Sequence, residues 1–175
     1  MRILVDVDNT LCDNMGEWLR IYNEAADDNV KPEDIVTWDI ESYLKPEWIP
    51  YFWEVAYPRS FQKSKPFPHA RMAIVELMVA GHEIAYVTAG VCVGKMEWLF
   101  DWEFSEGKVA LAPKNVIIAY DKSLIIGDIL VDDGLHNVAG RRSILFDQPW
   151  NRQDCSAPRA HNWRDVEDII LGVFP

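Results

Sequence analysis

The sequence is poor in basic residues. It has 17 Lys and Arg against 28 Asp and Glu, which gives a formal net charge of −11. A chain this acidic is repelled by the phosphates of nucleic acids and by anionic membrane surfaces. We therefore expect neither a nucleic-acid polymer nor a membrane as a partner. If the substrate is an anion, positive charge has to be concentrated locally.

Cysteines and long apolar runs are also scarce. Cys12, Cys92 and Cys155 are widely spaced and form neither a CxxC pair nor a metal-ligand pattern. This spacing favours reduced thiols in a reducing compartment. No apolar stretch approaches the length of a membrane span, and acidic residues interrupt the first apolar run earlier than in a signal peptide. The expected location is the cytoplasm.

Aromatic residues are abundant, and they concentrate in one stretch. Residues 27–64 combine turn-forming prolines with large aromatic side chains: Pro32, Pro46, Pro50, Pro58, Trp38, Trp48, Phe52, Trp53 and Tyr57. A helix is predicted just before it, because Trp18, Ile21 and Tyr22 recur at helical spacing. Asp13 or Asn14 can cap the start of that helix. We interpret residues 15–65 as a small helical cap.

The rest of the chain alternates between strand-like and helix-like patterns. Short apolar runs predict strands at 3–5, 84–87, 116–118, 129–131 and 143–146. The run at 124–126 either extends the third of these strands or begins a new one. Helical spacing predicts helices at 70–78, near 96–100 and at 166–171. This alternation predicts an α/β fold in which a parallel sheet has helices on both faces.

Polar side chains follow several of the predicted strands directly. Asp6 and Asp8 follow the first strand, Thr88 follows the next, and Asp132 with Asp133 follows a later one. Ligands bind outside the carboxyl ends of parallel strands. We therefore expect these residues, although distant in sequence, to converge in one site.

The residue types at these strand ends suit phosphoryl transfer. Asp6 and Asp8 are two apart in an extended segment, so both point the same way. One carboxylate can accept a phosphoryl group while the other moves protons. Mg²⁺ prefers a few carboxylates together with phosphate oxygens and water. Thr88 can hold one phosphoryl oxygen through its hydroxyl and a backbone N–H, and Lys122 can hold another.

Each of these residues also has a plain structural interpretation. A DxD sequence occurs in many loops, Thr88 can cap the next helix, and Lys122 can be a solvated surface charge. Asp132 and Asp133 can form a turn with Gly134. The whole set in this order is more specific than any single member.

In this order the residues resemble the four motifs of the haloacid dehalogenase (HAD) superfamily. DVDNT resembles the first motif, YVTAG the second, DKS the third and GDILVDD the acidic fourth. The 5'(3')-deoxyribonucleotidase group is further similar in WDI, KPFPHA, DKSLIIGDILVDD, and ILFDQPWNR followed by HNW. The resemblance implies a Rossmann-like HAD core, built from residues 1–14 and 66–175, with the cap inserted after the first strand.

The resemblance also implies roles for individual residues. Asp6 would be the nucleophile and a Mg²⁺ ligand, and Asp8 the general acid and base, with its backbone carbonyl facing the metal. Thr88, Ala89 and Lys122 would bind the phosphate. Of the acidic pair, Asp133 is the preferred metal ligand and Asp132 its support, with Asp128 a weaker candidate. Two departures, Asn9 in place of Gly and Ala89-Gly90 after the threonine, leave the substrate choice open.

Substrate selection is expected in the cap. Trp38, Phe52 or Trp53 can stack on a nucleobase, or can form the cap's own small core. A basic stretch with no acidic residue can attract an anionic substrate, or can be a solvated connector; it contains Arg59, Lys63, Lys65, His69 and Arg71.

The favoured function is a Mg²⁺-dependent phosphomonoesterase that acts on (deoxy)ribonucleoside monophosphates through an aspartyl-phosphate. Three alternatives stay open: a phosphatase for another small metabolite, a phosphoryl transferase, and a non-catalytic binding module with the same fold. The preferred base, the choice between 5' and 3' phosphate, and the assembly of a homodimer also stay open.

Overall fold

The computed structural model describes residues 1–90, 92–104, 115–153 and 155–173. A parallel six-stranded sheet lies at its centre, in the order β5-β4-β1-β6-β7-β8. A second sheet is the antiparallel pair β2-β3. The strands are β1 (Arg2–Val5), β2 (Cys12–Asp13), β3 (Lys65–Pro66), β4 (Glu83–Thr88), β5 (Val116–Ile118), β6 (Ile129–Asp132), β7 (Ser143–Phe146) and β8 (Arg159–Ala160).

The helices cover the sheet and form the segment that follows β2. They are α1 (Met15–Ala26), α2 (Ile49–Tyr51), α3 (Tyr57–Ser60), α4 (Ala70–Val79), α5 (Val93–Phe104), α6 (Leu135–Val138) and α7 (Trp163–Val173). A π-helical turn, Phe52–Ala56, joins α2 to α3. Short 3₁₀ turns lie at Pro32–Asp34, Ile40–Tyr43, Pro46–Trp48, Lys122–Leu124 and Pro149–Asn151. Within the described part of the chain, no helix combines the length and apolarity needed to cross a bilayer.

The predicted α/β fold is confirmed, and the sheet explains why its strands are apolar throughout. Ile3 and Val5 of β1 point into a large hydrophobic cluster on one face, while Leu4 points into a smaller cluster on the other. Successive side chains of a strand alternate between faces, so a sheet covered on both sides needs apolar residues at every position. One detail of the prediction is wrong: residues 124–126 form no strand, because the chain turns at Lys122–Leu124 instead.

The segment 15–65 has its own hydrophobic core. Side chains of α1, the 3₁₀ turns and the π-helical turn pack together. Trp150, from the 3₁₀ turn Pro149–Asn151, joins them. The chain enters and leaves this segment at one place, because Cys12 pairs with Pro66 and Asp13 with Lys65. The segment is therefore inserted between β1 and α4 without interrupting the central sheet.

Candidate active site

The carboxyl end of β1 lies at the middle of the central sheet, between the ends of β4 and β6. The backbone N–H of Asp6 donates to the carbonyl of Val131 at 2.9 Å, which continues the pairing one residue beyond β1. Thr88 is the last residue of β4, and Asp132 is the last residue of β6. The expected convergence at this edge of the sheet is therefore present.

Three buried carboxylates form the floor of the site. Ligand oxygens of Asp6, Asp132 and Asp133 lie within 4.8 Å of one another. Burial raises the pKa of Asp6 to about 7, although the ammonium of Lys122 acts against that shift. Burial also raises the pKa of Asp133 well above its ordinary value, and the charges of Asp6 and Asp132 add to the effect.

Lys122 partly balances this negative charge. Its Nζ donates to a carboxylate oxygen of Asp6 and to Asp132 Oδ2, the latter at 2.6 Å. Burial by itself would lower the pKa of Lys122, but the two carboxylates outweigh it and raise the pKa. Three carboxylates facing one ammonium leave an excess of negative charge. A cluster of oxygen donors with that excess fits a hard divalent cation such as Mg²⁺.

The two neighbouring acids differ in how many partners they have. Asp132 Oδ1 accepts from the backbone N–H of Gly134 and from the Asn137 amide, and its Oδ2 accepts from Lys122. Asp133 Oδ2 accepts from Trp150 Nε1 at 2.9 Å, and no described group donates to its Oδ1. Asp133 therefore has an oxygen available for a cation, whereas both oxygens of Asp132 are engaged.

Asp128, the weaker candidate, lies elsewhere. It precedes β6 at the opposite end of the strand, where its carboxylate accepts from the backbone N–H of Arg2 at 2.5 Å. The length of β6 therefore separates Asp128 from the acidic cluster, and Asp128 is not a ligand of this site.

Asp8 is held by Thr88, which the sequence predicts to lie in the site, and by Lys95 and Asn14, which it does not. Its Oδ2 accepts from Lys95 Nζ at 2.5 Å and from the Thr88 hydroxyl at 3.3 Å, and its Oδ1 accepts from Asn14 Nδ2 at 2.7 Å. Lys95 Nζ also donates to the Thr88 hydroxyl at 3.0 Å and to the carbonyl of Ala89 at 3.1 Å. Asp8 is therefore fixed beside the end of β4.

Lys95 has no exposed surface, which is unusual for a lysine. It lies on α5, and its Nζ is 5.2 Å from the centroid of the Tyr57 ring and 5.6 Å from that of Phe61. A signal for it exists in the sequence, since it is the first charged residue after Thr88, at the start of a mostly apolar helix. That signal is weak, because most lysines near a helix start are solvated.

The turn after β1 explains why Asn9 can stand where the first HAD motif often has Gly. Asn9 has φ of 56°, in the left-handed region that Asn tolerates better than most residues. Its Oδ1 accepts from the backbone N–H of Met15 at 2.9 Å and from that of Asn14 at 3.3 Å. Asn14 is the N-cap residue of α1, as predicted, but its side chain makes no capping hydrogen bond, and Asn9 supplies that bond instead.

The stretches ILFDQPWNR and HNW, which resemble the deoxyribonucleotidase group, contribute side chains that bond the backbone of the site loops. Gln148 Nε2 donates to the carbonyl of Asn9 at 2.6 Å, and Asn151 Nδ2 donates to the carbonyl of Asp133 at 2.8 Å. Trp163 Nε1 donates to the carbonyl of Thr10 at 2.8 Å. These residues do not line the floor themselves, but they hold the backbone of the loops that carry Asp6, Asp8 and Asp133.

A cleft of about 920 Å³ opens above the floor. Its inner end contains Asp6, Asp8, Ala89, Lys122 and Asp133, together with the buried Thr88 behind them. Its outer end contains Trp38 and Trp53, with Asp39 and Glu41 beside them. Among the described residues that line this cleft, Lys122 carries the only positive charge.

The three predicted substrate-binding aromatics have different positions. Trp38 is 54% exposed, lines the cleft and makes an edge contact with His136, with centroids 4.8 Å apart. Trp53 is 39% exposed and also lines the cleft, where its Nε1 donates to Glu41 at 2.7 Å. Phe52 is fully buried in the core of segment 15–65, so packing accounts for it.

The basic stretch lies away from the cleft. Arg59 and Lys63 line a separate pocket of about 390 Å³, together with Glu17 and Glu24. His69 Nε2 lies 3.0 Å from a carboxylate oxygen of Glu167. None of the five basic residues lines the cleft described above, so attraction of the substrate by this stretch has no structural support.

Comparison with known proteins identifies the family. The family model described as 5' nucleotidase, deoxy (pyrimidine), cytosolic type C protein matches residues 1–173. The 5'(3')-deoxyribonucleotidase of Clostridium acetobutylicum is 33% identical over 172 residues, which cover 94% of this chain and 92% of that protein. The protein of the same name from Bacillus subtilis is 30% identical over 176 residues, with coverage of 97% and 98%.

Solved structures agree on the fold. A haloacid dehalogenase-like hydrolase from Streptococcus pneumoniae superposes with a TM-score of 0.67 at 11% identity, covering 99% of this chain and 98% of that one. A HAD family hydrolase from Deinococcus radiodurans, solved with bound phosphate and sodium, gives a TM-score of 0.63 at 13% identity, with coverage of 98% and 95%. At these identities the similarity shows the HAD fold alone.

Proposed function

The chain belongs to the family of 5' nucleotidase, deoxy (pyrimidine), cytosolic type C proteins and is a phosphatase, and from this premise we propose that it hydrolyses (deoxy)ribonucleoside monophosphates through an aspartyl-phosphate on Asp6. One observation carries the proposal. Asp6 lies beside Lys122 and Asp133, and Asp8 lies beside Thr88, at the inner end of a cleft whose outer end is aromatic. Such a cleft suits a substrate with a phosphate at one end and a flat base at the other.

The first step forms a bond between an Asp6 carboxylate oxygen and the phosphorus atom. The bond from phosphorus to the leaving oxygen breaks, and Asp8 gives that oxygen a proton, which releases the nucleoside. Thr88 and Lys122 hold phosphoryl oxygens during this step, with the backbone of Ala89 beside them. Lys95 keeps Asp8 in place through its 2.5 Å contact.

The second step returns the enzyme to its starting state. A water molecule gives a proton to Asp8 while its oxygen bonds to phosphorus, and the bond between phosphorus and Asp6 breaks. The products are inorganic phosphate and the free Asp6 carboxylate. Asp8 thus acts as acid in one step and as base in the other.

Asp6, Asp133 and the backbone carbonyl of Asp8 would hold Mg²⁺, with Asp132 in support. When bound, Mg²⁺ neutralises charge on the transferring phosphoryl group. The free Oδ1 of Asp133 supports its choice over Asp132, whose two oxygens accept hydrogen bonds from protein groups.

The division of labour within the chain is also part of the proposal. Residues 1–14 and 66–175 would carry out the chemistry, and residues 15–65 would select the substrate. Asp39 and Glu41 at the outer end disfavour a leaving group with a second negative charge, because no described cation lines that end. A neutral nucleoside therefore suits the cleft better than an acidic metabolite. The cytoplasmic location proposed for the chain agrees with such a substrate.

Phosphate release from a panel of ribonucleotides, deoxyribonucleotides and sugar phosphates tests this proposal, with Mg²⁺ or EDTA. We expect Mg²⁺-dependent release from deoxynucleotides, lowered at least about a thousandfold in Asp6→Asn. Release from sugar phosphates alone would overturn the substrate assignment and keep the mechanism. Transfer of the phosphoryl group to another acceptor would identify a transferase. No release from any compound by folded protein would favour the binding-module alternative.

A further inference from the structure

Tyr57 occupies the junction between the two ends of the cleft. It is the first residue of α3, directly after the π-helical turn. Its backbone N–H donates to the carbonyl of Phe52, five residues earlier, which is the wider spacing of a π-helix. With this spacing both Trp53 and Tyr57 line the cleft, while Phe52 and Ala56 are buried in the core of segment 15–65.

The ring of Tyr57 is held on several sides. It makes edge contacts with Trp18 and Phe61, with centroids 5.2 Å and 5.7 Å away. On the side of the inner end, the ammonium of Lys95 lies 5.2 Å from its centroid. A ring with contacts in the core of segment 15–65 and at Lys95 has little freedom to turn, so the direction of its hydroxyl is set.

The hydroxyl of Tyr57 lies beside the loop that follows β4. A Cβ atom placed on Gly90 would be 3.7 Å from Tyr57 Oη. Among the residues that the structure describes, no group forms a hydrogen bond with this oxygen. Burial, with the charge of Asp8 in addition, raises the pKa of Tyr57, so the phenol keeps its proton. Tyr57 lines the cleft, so this donor is available to a bound ligand.

We propose that Tyr57 Oη donates a hydrogen bond to a sugar hydroxyl of the bound nucleotide. The inference rests on the proposed function and adds a residue that recognises the sugar. Thr88 and Lys122 serve the phosphate, and Trp38 with Trp53 provides the surface for the base. In a nucleotide the sugar lies between these two groups, and Tyr57, in contact with both Trp53 and Lys95, offers a donor there.

The test removes the two partners of this bond separately. Tyr57→Phe removes the donor, and a 2',3'-dideoxynucleoside 5'-monophosphate lacks the 3'-hydroxyl of the matching deoxynucleotide. For the deoxynucleotide we expect Tyr57→Phe to lower kcat/KM about fivefold, mainly through a higher KM. For the dideoxynucleotide, the kcat/KM values of wild type and Tyr57→Phe should agree within about twofold. For wild type, kcat/KM should be about fivefold lower with the dideoxynucleotide than with the deoxynucleotide. For Tyr57→Phe this difference should be much smaller.

Tyr51→Phe is the matched control, because Tyr51 is a tyrosine of the same segment that lines the separate pocket with Arg59. It should behave as wild type with both substrates, and thermal melting should show all three proteins folded. An equal loss with both substrates, or no loss with either, would overturn the sugar contact while leaving the proposed function intact. If wild type releases phosphate from neither nucleotide but does so from another phosphate ester, both the sugar contact and the proposed function are overturned.

Discussion

The inner and outer ends of the cleft differ in how their side chains are held. At the inner end the polar groups are buried, and Asp8, Thr88, Lys95 and Lys122 all make hydrogen bonds with one another or with neighbouring acids. At the outer end Trp38 is 54% exposed, and its recorded ring contact is with His136. The groups proposed to take part in bond breaking are thus pre-positioned, whereas those proposed to select a base keep surface free for it.

The two ends are also built on different scaffolds. At the inner end Asp6, Thr88 and Asp132 sit at or just after strands in the middle of a parallel sheet, where each backbone is paired on both sides. Lys122 is the exception, because it lies in a 3₁₀ turn after the edge strand β5. At the outer end Glu41 sits on a 3₁₀ turn and Trp53 on the π-helical turn, while Trp38 lies in irregular chain just before the 3₁₀ turn Ile40–Tyr43. Changes at the inner end should therefore affect stability and chemistry together. Changes at the outer end should affect binding alone.

The largest effect on stability is expected from Lys122→Met, measured in EDTA. Removing the ammonium leaves the buried carboxylates of Asp6, Asp132 and Asp133 facing one another without compensation. We expect the free energy of unfolding in urea to fall by about 3 to 5 kcal/mol. Lys63→Met, at an exposed lysine, is the control and should change it by less than about 0.5 kcal/mol. Equal stability of the two variants would contradict charge balance at the inner end.

A smaller effect is expected where the two ends are joined, at Trp150. Its ring packs in the core of segment 15–65, while its Nε1 donates to Asp133. Trp150→Phe removes that bond and should weaken Mg²⁺ binding about 10- to 100-fold. The measurement is the rise in melting temperature on titration with Mg²⁺, relative to each protein in EDTA, which separates metal binding from lost packing.

Trp48→Phe is the control for this prediction, because Trp48 packs against the same hydrophobic core as Trp150 and does not line the cleft. The Mg²⁺ concentration that gives the half-maximal rise in melting temperature should be the same for Trp48→Phe as for wild type. An unchanged Mg²⁺ titration of Trp150→Phe would show that the bond to Asp133 does not assist the metal site.

The smallest effects come from a pair of aromatic residues that the sequence cannot tell apart. Trp38→Leu should raise KM for a deoxynucleotide about fivefold, corresponding to ~1 kcal/mol of stacking, and leave the melting temperature unchanged. Phe52→Leu should do the reverse, lowering the free energy of unfolding by about 1 to 2 kcal/mol at constant KM. A raised KM for folded Phe52→Leu would contradict a purely structural role of Phe52. A destabilised Trp38→Leu with wild-type KM would contradict the role of Trp38 in binding the base.

Much of the inner end is predictable from the sequence, for a local reason. Each of Asp6, Thr88 and Asp132 directly follows or ends a short apolar run, and parallel strands bring their carboxyl ends to one edge. Lys95 and Asn14 escaped the prediction because they lie on or next to helices. Their contact with Asp8 depends on how those helices dock against the sheet, which no local pattern reports.

At the outer end the sequence predicts the composition and not the orientation. Phe52 and Trp53 are neighbours, yet one is fully buried and the other lines the cleft. A regular helix would allow some inference from its period of 3.6 residues. The π-helical turn at Phe52–Ala56 breaks that period, so the faces cannot be assigned by counting. The same turn determines that Tyr57 reaches the cleft.

The sequence by itself determined the family, the α/β fold and the acidic motif residues, because each depends on short patterns of apolar and polar residues along the chain. Only the tertiary structure decided which carboxylate keeps a free oxygen, which aromatic side chains line the cleft, and that Lys95 and Asn14 contact Asp8 while Trp150 contacts Asp133. These outcomes depend on contacts between elements that are distant in sequence. Their geometry follows from how helices and loops pack on the sheet, and no local pattern encodes it.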